Sequence, residues 1–176
     1  MSVFAGARIV LCVTGSVAAY KASDLASTLR QAGVEVDVVL SSAAESFVGP
    51  LTFQALTQRH VYTASDLMTQ ENKIAHIQLA KDADAVLVAP ASADAIARIA
   101  QGRADDLVAS IALTTTSPIV MAPAMESDML ANAATQANLG LLRERGVQII
   151  EPETGRLASG ALGKGRLPET MVLVDV

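Results

Sequence analysis

Short apolar runs alternate with segments of helical spacing along most of this chain. Apolar runs that end at Gly, Ser, Thr or Pro predict five strands, over residues 8–13, 34–40, 85–89, 119–122 and 147–150. Apolar residues between these runs recur at three- and four-residue steps, which predicts helices over 17–31, from about 50, and over 74–81, 93–101, 105–113 and 133–145. Such regular strand–loop–helix units indicate an α/β fold with a doubly wound parallel sheet in three layers, Rossmann- or flavodoxin-like.

The segment from 153 to 169 breaks this alternation. It combines four glycines with three cations and shows little hydrophobic periodicity; the cations are Arg156, Lys164 and Arg166. These features predict a glycine-rich, cationic loop that is either functional or disordered. The length of 176 residues suits a single domain over 1–176 that includes this loop.

The composition adds an aliphatic core and excludes several classes of function. Hydrophobic residues make up 51% of the chain and aromatic residues only 3%, as expected for a parallel sheet that is buried on both faces. The net charge is −5 and no basic stripe is present, which argues against nucleic acid as a partner. Cys12 lies inside an apolar run and is predicted to be a buried structural thiol. We expect no membrane partner and a cytoplasmic location, because neither a leader pattern nor an apolar run near 18 residues occurs.

The predicted strand ends carry the candidate chemistry, because ligands of open α/β sheets bind beyond the carboxyl ends of the strands. Small and hydroxyl residues follow four strands, at 14–16, 41–42, 90–94 and 123–126. Gly15 would let the backbone approach a phosphate, which the hydroxyls and the helix N-terminus would bind. One Gly-Ser turn is usually only a helix cap, and the Gly-x-Gly-x-x-Gly fingerprint is missing. Four marked ends together favour a phosphate-bearing ligand.

Several titratable residues have both a structural and a functional interpretation. His76 is either on the polar face of a short helix or a general acid/base, since histidine titrates near neutral pH. Glu126 is either a helix-start carboxylate or part of a site. Arg156, Lys164 and Arg166 form either a solvated cluster or a mobile clamp on an anionic substrate. Two histidines and one buried cysteine lack metal-ligand spacing, so no metal site is expected.

In their order and spacing, these motifs resemble the homo-oligomeric flavin-containing cysteine decarboxylases, over about 7–169. Within that family the chain is most similar to the phosphopantothenoylcysteine decarboxylases of coenzyme A biosynthesis. The resemblance implies three FMN-binding segments and a fourth conserved stretch, with the cofactor-binding residues Gly15, Ser16, Ser41, Phe47, Ser92, Ala93, Asp94 and Asp105. It implies a substrate motif and a substrate clamp, with the residues Ala124, Met125, Glu126, Lys164 and Arg166. It makes His76 and Ser159 the catalytic positions.

The resemblance also implies a reaction. FMN would oxidise the cysteine side chain of 4'-phosphopantothenoylcysteine to a thioaldehyde, which makes loss of CO2 feasible, and would then return the electrons to give 4'-phosphopantetheine. Two residues depart from the family pattern. Glu126 stands where family members often have an Asn that binds the substrate carboxylate, and Ser159 stands where they often have a Cys that takes part in the final reduction.

These departures leave three alternatives. The first is a peptidyl-cysteine decarboxylase that stops at a C-terminal aminoenethiol on a precursor peptide. The second is a flavin prenyltransferase, against which the Pro123–Glu126 motif and the clamp argue, and the third is a flavin-binding module without catalysis. The resemblance further implies a homotrimer or a dodecamer with FMN at subunit contacts, and a fused or paired phosphopantothenate–cysteine ligase.

Overall fold

The structure, a computed structural model, describes residues 5–176. Six strands form one parallel sheet: β1 (Arg8–Val13), β2 (Glu35–Leu40), β3 (Val61–Tyr62), β4 (Ala85–Ala91), β5 (Ile119–Pro123) and β6 (Gln148–Ile149). Their order is β3-β2-β1-β4-β5-β6, so the winding direction reverses between β1 and β4. This confirms the predicted doubly wound sheet and places a ligand crevice at the carboxyl ends of β1 and β4.

Helices cover both faces of the sheet. They are α1 (Lys21–Gln31), α2 (Pro50–Thr57), α3 (Ala75–Asp82), α4 (Ala93–Ala100), α5 (Leu107–Thr114), α6 (Ser127–Ala131), α7 (Ala133–Glu144) and α8 (Thr170–Val174). α1, α2 and α8 pack on one face, and α3, α4, α5 and α7 pack on the other. The three predicted layers are therefore confirmed. None of the described helices has the length and apolar character that crossing a bilayer requires.

Strand β1 shows why the sheet is apolar throughout. Leu11 and Val13 contribute to the core on one face, and Val10 and Cys12 contribute to the core on the other. All four side chains are fully buried, as the near-continuous apolar run requires for a strand between two helical layers. Burial, with a smaller contribution from a nearby carboxylate, raises the pKa of the Cys12 thiol. Cys12 is thus the buried structural thiol that the sequence predicts.

The main departure from the predicted elements lies in the segment 153–169. Instead of a loop, it forms an antiparallel hairpin of β7 (Glu153–Arg156) and β8 (Leu162–Arg166), followed by α8. Because of its glycines, this segment lacks the alternation of hydrophobic and polar residues that predicts a strand. β3, with two residues, and α6, with five, are too short to show a period and were also not predicted. The helix predicted over 17–31 begins at Lys21, after a 3-10 turn at Val17–Tyr20.

A buried carboxylate ties β1, β2 and the segment after α2 together. Asp37 on β2 accepts hydrogen bonds from the Nε atoms of Arg8 and Arg59, each at 2.7 Å. Only 4% of the Asp37 side chain is exposed, whereas each arginine is about one third exposed. Arg8 also contacts Asp82 on α3 at 3.0 Å, so the same group of charges anchors α3 to the sheet.

Candidate active site

The loop after β1 is fixed to the end of β4 by Thr14. Its buried hydroxyl donates to the carbonyl oxygen of Pro90 at 2.7 Å and accepts from the backbone N–H of Ser92 at 2.8 Å. Because both interactions are internal to the fold, the Thr14 hydroxyl positions the two strand ends and is not a ligand group. The sequence pattern at 14–16 predicted that this hydroxyl could bind a phosphate, and the structure corrects that prediction.

Three serines end the strands in the same way. The Oγ atoms of Ser16, Ser41 and Ser92 accept backbone N–H groups of the following turns, each at 3.2 Å. A serine that accepts through a lone pair keeps its O–H proton for donation to an anion. At Gly15 any side chain would overlap the Cβ of Ala43, so the close approach of the first two strand-end loops requires glycine there.

These strand ends form the floor of a cavity of about 690 Å³. Its size suits a cofactor or a drug-sized ligand. It brings together nine of the predicted site residues: Gly15, Ser16, Phe47, Ser92, Ala93, Ala124, Met125, Glu126 and Arg166. Phe47 is 52% exposed and lies among the lining residues. The cavity therefore combines the segments that the family resemblance assigns to the flavin with those it assigns to the substrate.

The cavity lining carries a positive charge. Its cations are Lys21, Arg156 and Arg166, and Glu126 is the one carboxylate among the lining residues that the structure describes. Lys21 was not predicted as a site residue. The signal that could have found it is its position at the end of the segment that begins at Gly15. Glu169, at the edge of this group, contacts the Lys21 Nζ at 3.3 Å and an Arg166 nitrogen at 2.8 Å. Such a lining would attract an anionic ligand.

Glu126 is half-buried and precedes the first residue of α6. Within residues 5–176, its side chain makes neither a hydrogen bond nor an ion pair, and it does not cap the helix. By position Glu126 is the helix-start carboxylate of the structural interpretation, and its carboxylate also remains available to a ligand.

The hairpin covers one side of the cavity through close backbone contacts. The Met125 N–H donates to the carbonyl oxygen of Gly165 at 3.1 Å, and the Ser127 Oγ donates to that of Lys164 at 2.8 Å. A side chain at Gly165 would overlap the carbonyl oxygen of Met125, and one at Gly163 would overlap the Ser127 hydroxyl. The glycines of β8 thus serve to bring the hairpin against the segment 125–127.

Six predicted site residues do not line the cavity: His76, Ser41, Asp94, Asp105, Ser159 and Lys164. Asp94 and Asp105 both pair with Arg98, at 2.8 and 2.7 Å. Ser159 is exposed in the turn of the hairpin, where its Oγ accepts from the Ala161 N–H at 3.3 Å. Ser41 caps its own turn, as described above.

His76 and Lys164 are held away from the cavity by the elements that carry them. His76 is half-buried near the start of α3, on the sheet face opposite to α1, whose Lys21 lines the cavity. Lys164 pairs with Glu151 at 2.6 Å and lines a second cavity of about 320 Å³. Their predicted roles remain predictions.

Comparison with known proteins places this site in a family context. The family model described as "Flavoprotein" matches residues 4–176. The chain is 44% identical over 174 residues to the coenzyme A biosynthesis bifunctional protein CoaBC of Vibrio vulnificus strain YJ016, covering 99% of this chain and 43% of that protein. It is 43% identical to CoaBC of Escherichia coli K12, covering 98% of this chain and 42% of that protein. The chain thus spans less than half the length of these curated relatives.

Solved structures resemble it over almost their whole length. A PPC decarboxylase mutant complexed with pantothenoylaminoethenethiol has a TM-score of 0.84 at 30% identity, covering 96% of this chain and 94% of that one. The FMN-binding protein AtHal3 has a TM-score of 0.84 at 32% identity, covering 96% and 93%. The FMN-dependent cysteine decarboxylase SpaF has a TM-score of 0.85 at 29% identity, covering 97% and 94%.

Proposed function

This chain belongs to the flavoprotein family, and from that premise we propose that it is an FMN-dependent carboxy-lyase of coenzyme A biosynthesis. Its substrate would be 4'-phosphopantothenoylcysteine, whose cysteine moiety loses CO2 to give 4'-phosphopantetheine. The observation that carries the proposal is the cationic cavity, because flavin-segment and substrate-segment residues line it together. The similarity to CoaBC proteins and to a PPC decarboxylase supports it.

The residues at the strand ends fit FMN. The turn at Gly15 and Ser16, and the start of α4 at Ser92 and Ala93, offer backbone N–H groups and hydroxyl donors to a phosphate. Phe47 offers an apolar surface to a ring at the same cavity. When bound, FMN supplies the oxidation of the substrate cysteine and the later return of the electrons. The protein supplies the binding groups and removes the reacting atoms from water.

The cavity cations suit the anionic ends of cofactor and substrate. Arg166 and Lys21 line it beside Glu169, and Arg156 lines it from β7. We assign Arg166 to substrate binding, together with Ala124, Met125 and Glu126, which line the same cavity. His76 would hold or move a proton at the substrate thiol.

For His76 to act there, a second copy of the chain must bring it to the cavity. Exposed apolar side chains surround the start of α3: Leu67 is 76%, Met68 48% and Ile74 47% exposed. Such a patch marks an interaction surface. We therefore propose a homo-oligomer, either a trimer or a dodecamer built from trimers, in which His76 of one copy faces the cavity of the next. We also propose that a phosphopantothenate–cysteine ligase is its fused or paired partner and that the protein is cytoplasmic.

The test is anaerobic incubation of the flavin-loaded protein with 4'-phosphopantothenoylcysteine, followed by mass spectrometry and a flavin spectrum. We expect a product lighter by CO2 alone, with oxidised flavin restored. A product lighter by CO2 and two hydrogens, with the flavin left reduced, would instead mean that the enzyme stops at the enethiol. Absence of turnover would contradict the proposal.

Ser159 gives the enethiol outcome its specific support. Ser159 stands where the family resemblance places a cysteine that takes part in the final reduction, and a serine hydroxyl is much less acidic than a cysteine thiol. A peptidyl-cysteine decarboxylase, which ends at an aminoenethiol, is therefore the second candidate function. Incubation with peptides that end in cysteine separates it from the first, and Ser159→Cys is the matched variant in both assays.

Replacing Glu126 by Asn should raise kcat/KM for the substrate about three- to tenfold at neutral pH. An ionised carboxylate in the cavity repels the carboxylate of the substrate, whereas an amide donates a hydrogen bond to it. The measurement is steady-state CO2 release for Glu126→Asn, with Asp128→Asn as the control. Asp128 is exposed, lies two residues away and does not line the cavity. A loss of activity in Glu126→Asn alone would show that the carboxylate itself binds a donor group of the substrate.

A further inference from the structure

Three charged side chains join the hairpin to the main domain. Glu151 accepts a hydrogen bond from the Lys164 Nζ at 2.6 Å through one carboxylate oxygen and from Arg143 at 2.7 Å through the other. Lys164 lies on β8, whereas Arg143 lies in the last turn of α7, which packs on the sheet. The carboxylate therefore bridges the two-stranded hairpin, which lies outside the main sheet, and a helix that packs on that sheet.

Lys164 is bound at both its side chain and its backbone. Its carbonyl oxygen accepts from the Ser127 hydroxyl, and the next carbonyl, that of Gly165, accepts from the Met125 N–H. Met125 lines the large cavity, as do Gly165 and Arg166. The ion pair of Glu151 and Lys164 is therefore adjacent in sequence to Gly165, where the hairpin contacts Met125 of the cavity wall.

The backbone at Gly165 separates the two cations of β8. Lys164 and Arg166 are two residues apart and would share one face of a regular strand. Gly165 has φ +153°, and the β7–β8 register shifts at Glu153, so Lys164 lines the smaller cavity and Arg166 the larger one. Glu151 thus holds the strand two residues before Arg166, next to the glycine at which the two side chains diverge.

We propose that Glu151 is a positioning residue, which holds Lys164 and thereby sets the hairpin, with Arg166, over the substrate cavity. The kinetic consequences of this proposal rest on the proposed function, whereas the contact between Glu151 and the hairpin does not. Lys164 in this view is bound by the protein and does not contact the substrate. The hydrogen bond from Lys164 lowers the pKa of Glu151, with further lowering by the charge of Arg143, so the carboxylate stays ionised at neutral pH.

The side chains of Glu151, Lys164 and Arg143 are 58%, 50% and 43% exposed. Exposed ion pairs contribute little to the free energy of unfolding, so their loss should leave the overall fold intact. It should increase local opening of the hairpin at Lys164, while the contacts with Met125 and Ser127 keep the hairpin attached to the main domain. The expected effect is therefore on substrate binding, without an effect on the melting temperature.

We expect Glu151→Gln to raise KM about three- to tenfold while kcat, flavin content and the melting temperature stay unchanged. Hydrogen exchange of the amides in 153–166 should become faster in the same variant. Glu144→Gln is the matched control, because Glu144 is an exposed glutamate on α7 next to Arg143 and makes no ion pair among the described residues. Exchange is measured without substrate, so it tests the hairpin contact even if the proposed reaction fails.

The double variant with Lys164→Met decides between positioning and direct substrate binding. If Glu151 acts through Lys164, both single variants and the double variant should have similar KM values, because one coupled contact is lost in each. If Lys164 binds the substrate, Glu151→Gln would free its ammonium and lower KM, whereas Lys164→Met would raise KM above that of the unmodified protein. A lowered KM in Glu151→Gln, or hairpin exchange equal to that of Glu144→Gln, would overturn the proposal.

Discussion

Replacing His76 by Gln should lower kcat for decarboxylation about 10²–10⁴-fold, the usual contribution of a general acid/base. Flavin content and melting temperature should stay close to those of the unmodified protein. His76 is half-buried at the start of α3, and its ring makes no hydrogen bond within residues 5–176 that the fold would lose. Single-turnover CO2 release and the flavin spectrum measure both properties. His60→Gln is the control, since His60 lies against Tyr62, away from the cavity lining.

The same variant tests whether His76 serves a neighbouring copy. Coexpression of His76→Gln with Arg166→Gln produces mixed oligomers in which some sites combine an intact cavity with an intact histidine from another chain. We expect about a quarter of the unmodified activity for random assembly of a symmetric ring, although each variant alone is inactive. If mixed oligomers form and remain inactive, His76 does not act across the subunit contact.

The sequence predicted the fold well because the fold rests on local periodicity. β1 is apolar at every buried position, and α1 repeats its buried positions at Ala22, Leu25, Ala26 and Leu29. Both signals depend on residues close in sequence, so neither needs knowledge of tertiary contacts. β7 and β8 were missed for the opposite reason. The glycines of β8 are placed by contacts with Met125 and Ser127, which lie about forty residues earlier, and Gly155 of β7 lies against Arg166 of β8.

The site residues also divide into those that local sequence predicts and those that depend on tertiary contacts. Gly15, Ser16 and Ser92 were predicted because strand ends converge in an open parallel sheet, and all three line the cavity. Side-chain partners could not be predicted. Thr14 is bound by Pro90 and Ser92, and Lys164 is bound by Glu151, although both looked available from their residue types. Charge and hydroxyl content indicate which chemistry a segment can support, but the partners of each group decide whether it remains available.

Removing the buried carboxylate of Asp37 should cost more stability than removing an exposed carboxylate of the same group of charges. Asp37→Ala takes the shared partner from two arginines that are about one third exposed and keep Asp82 and Glu35, so we expect a loss of about 1.5–3 kcal/mol. For a chain of this size that loss corresponds to roughly 3–12 °C in the melting temperature. The free energy of unfolding can be measured by urea denaturation of the flavin-loaded protein.

Glu35→Gln provides the comparison within the same group of charges. Glu35 contacts Arg59 at 3.3 Å, and its side chain is 51% exposed, so its loss should cost no more than about 1 kcal/mol. Both carboxylates lie on β2 and both contact Arg59, but only Asp37 is buried and only Asp37 also binds Arg8, so the contrast measures burial together with the second arginine. Equal losses in the two variants would mean that solvent screens Asp37 as well. A large loss in Asp37→Ala alone would identify the arginine-bound carboxylate as the link that holds β1, β2 and α3 together beneath the site.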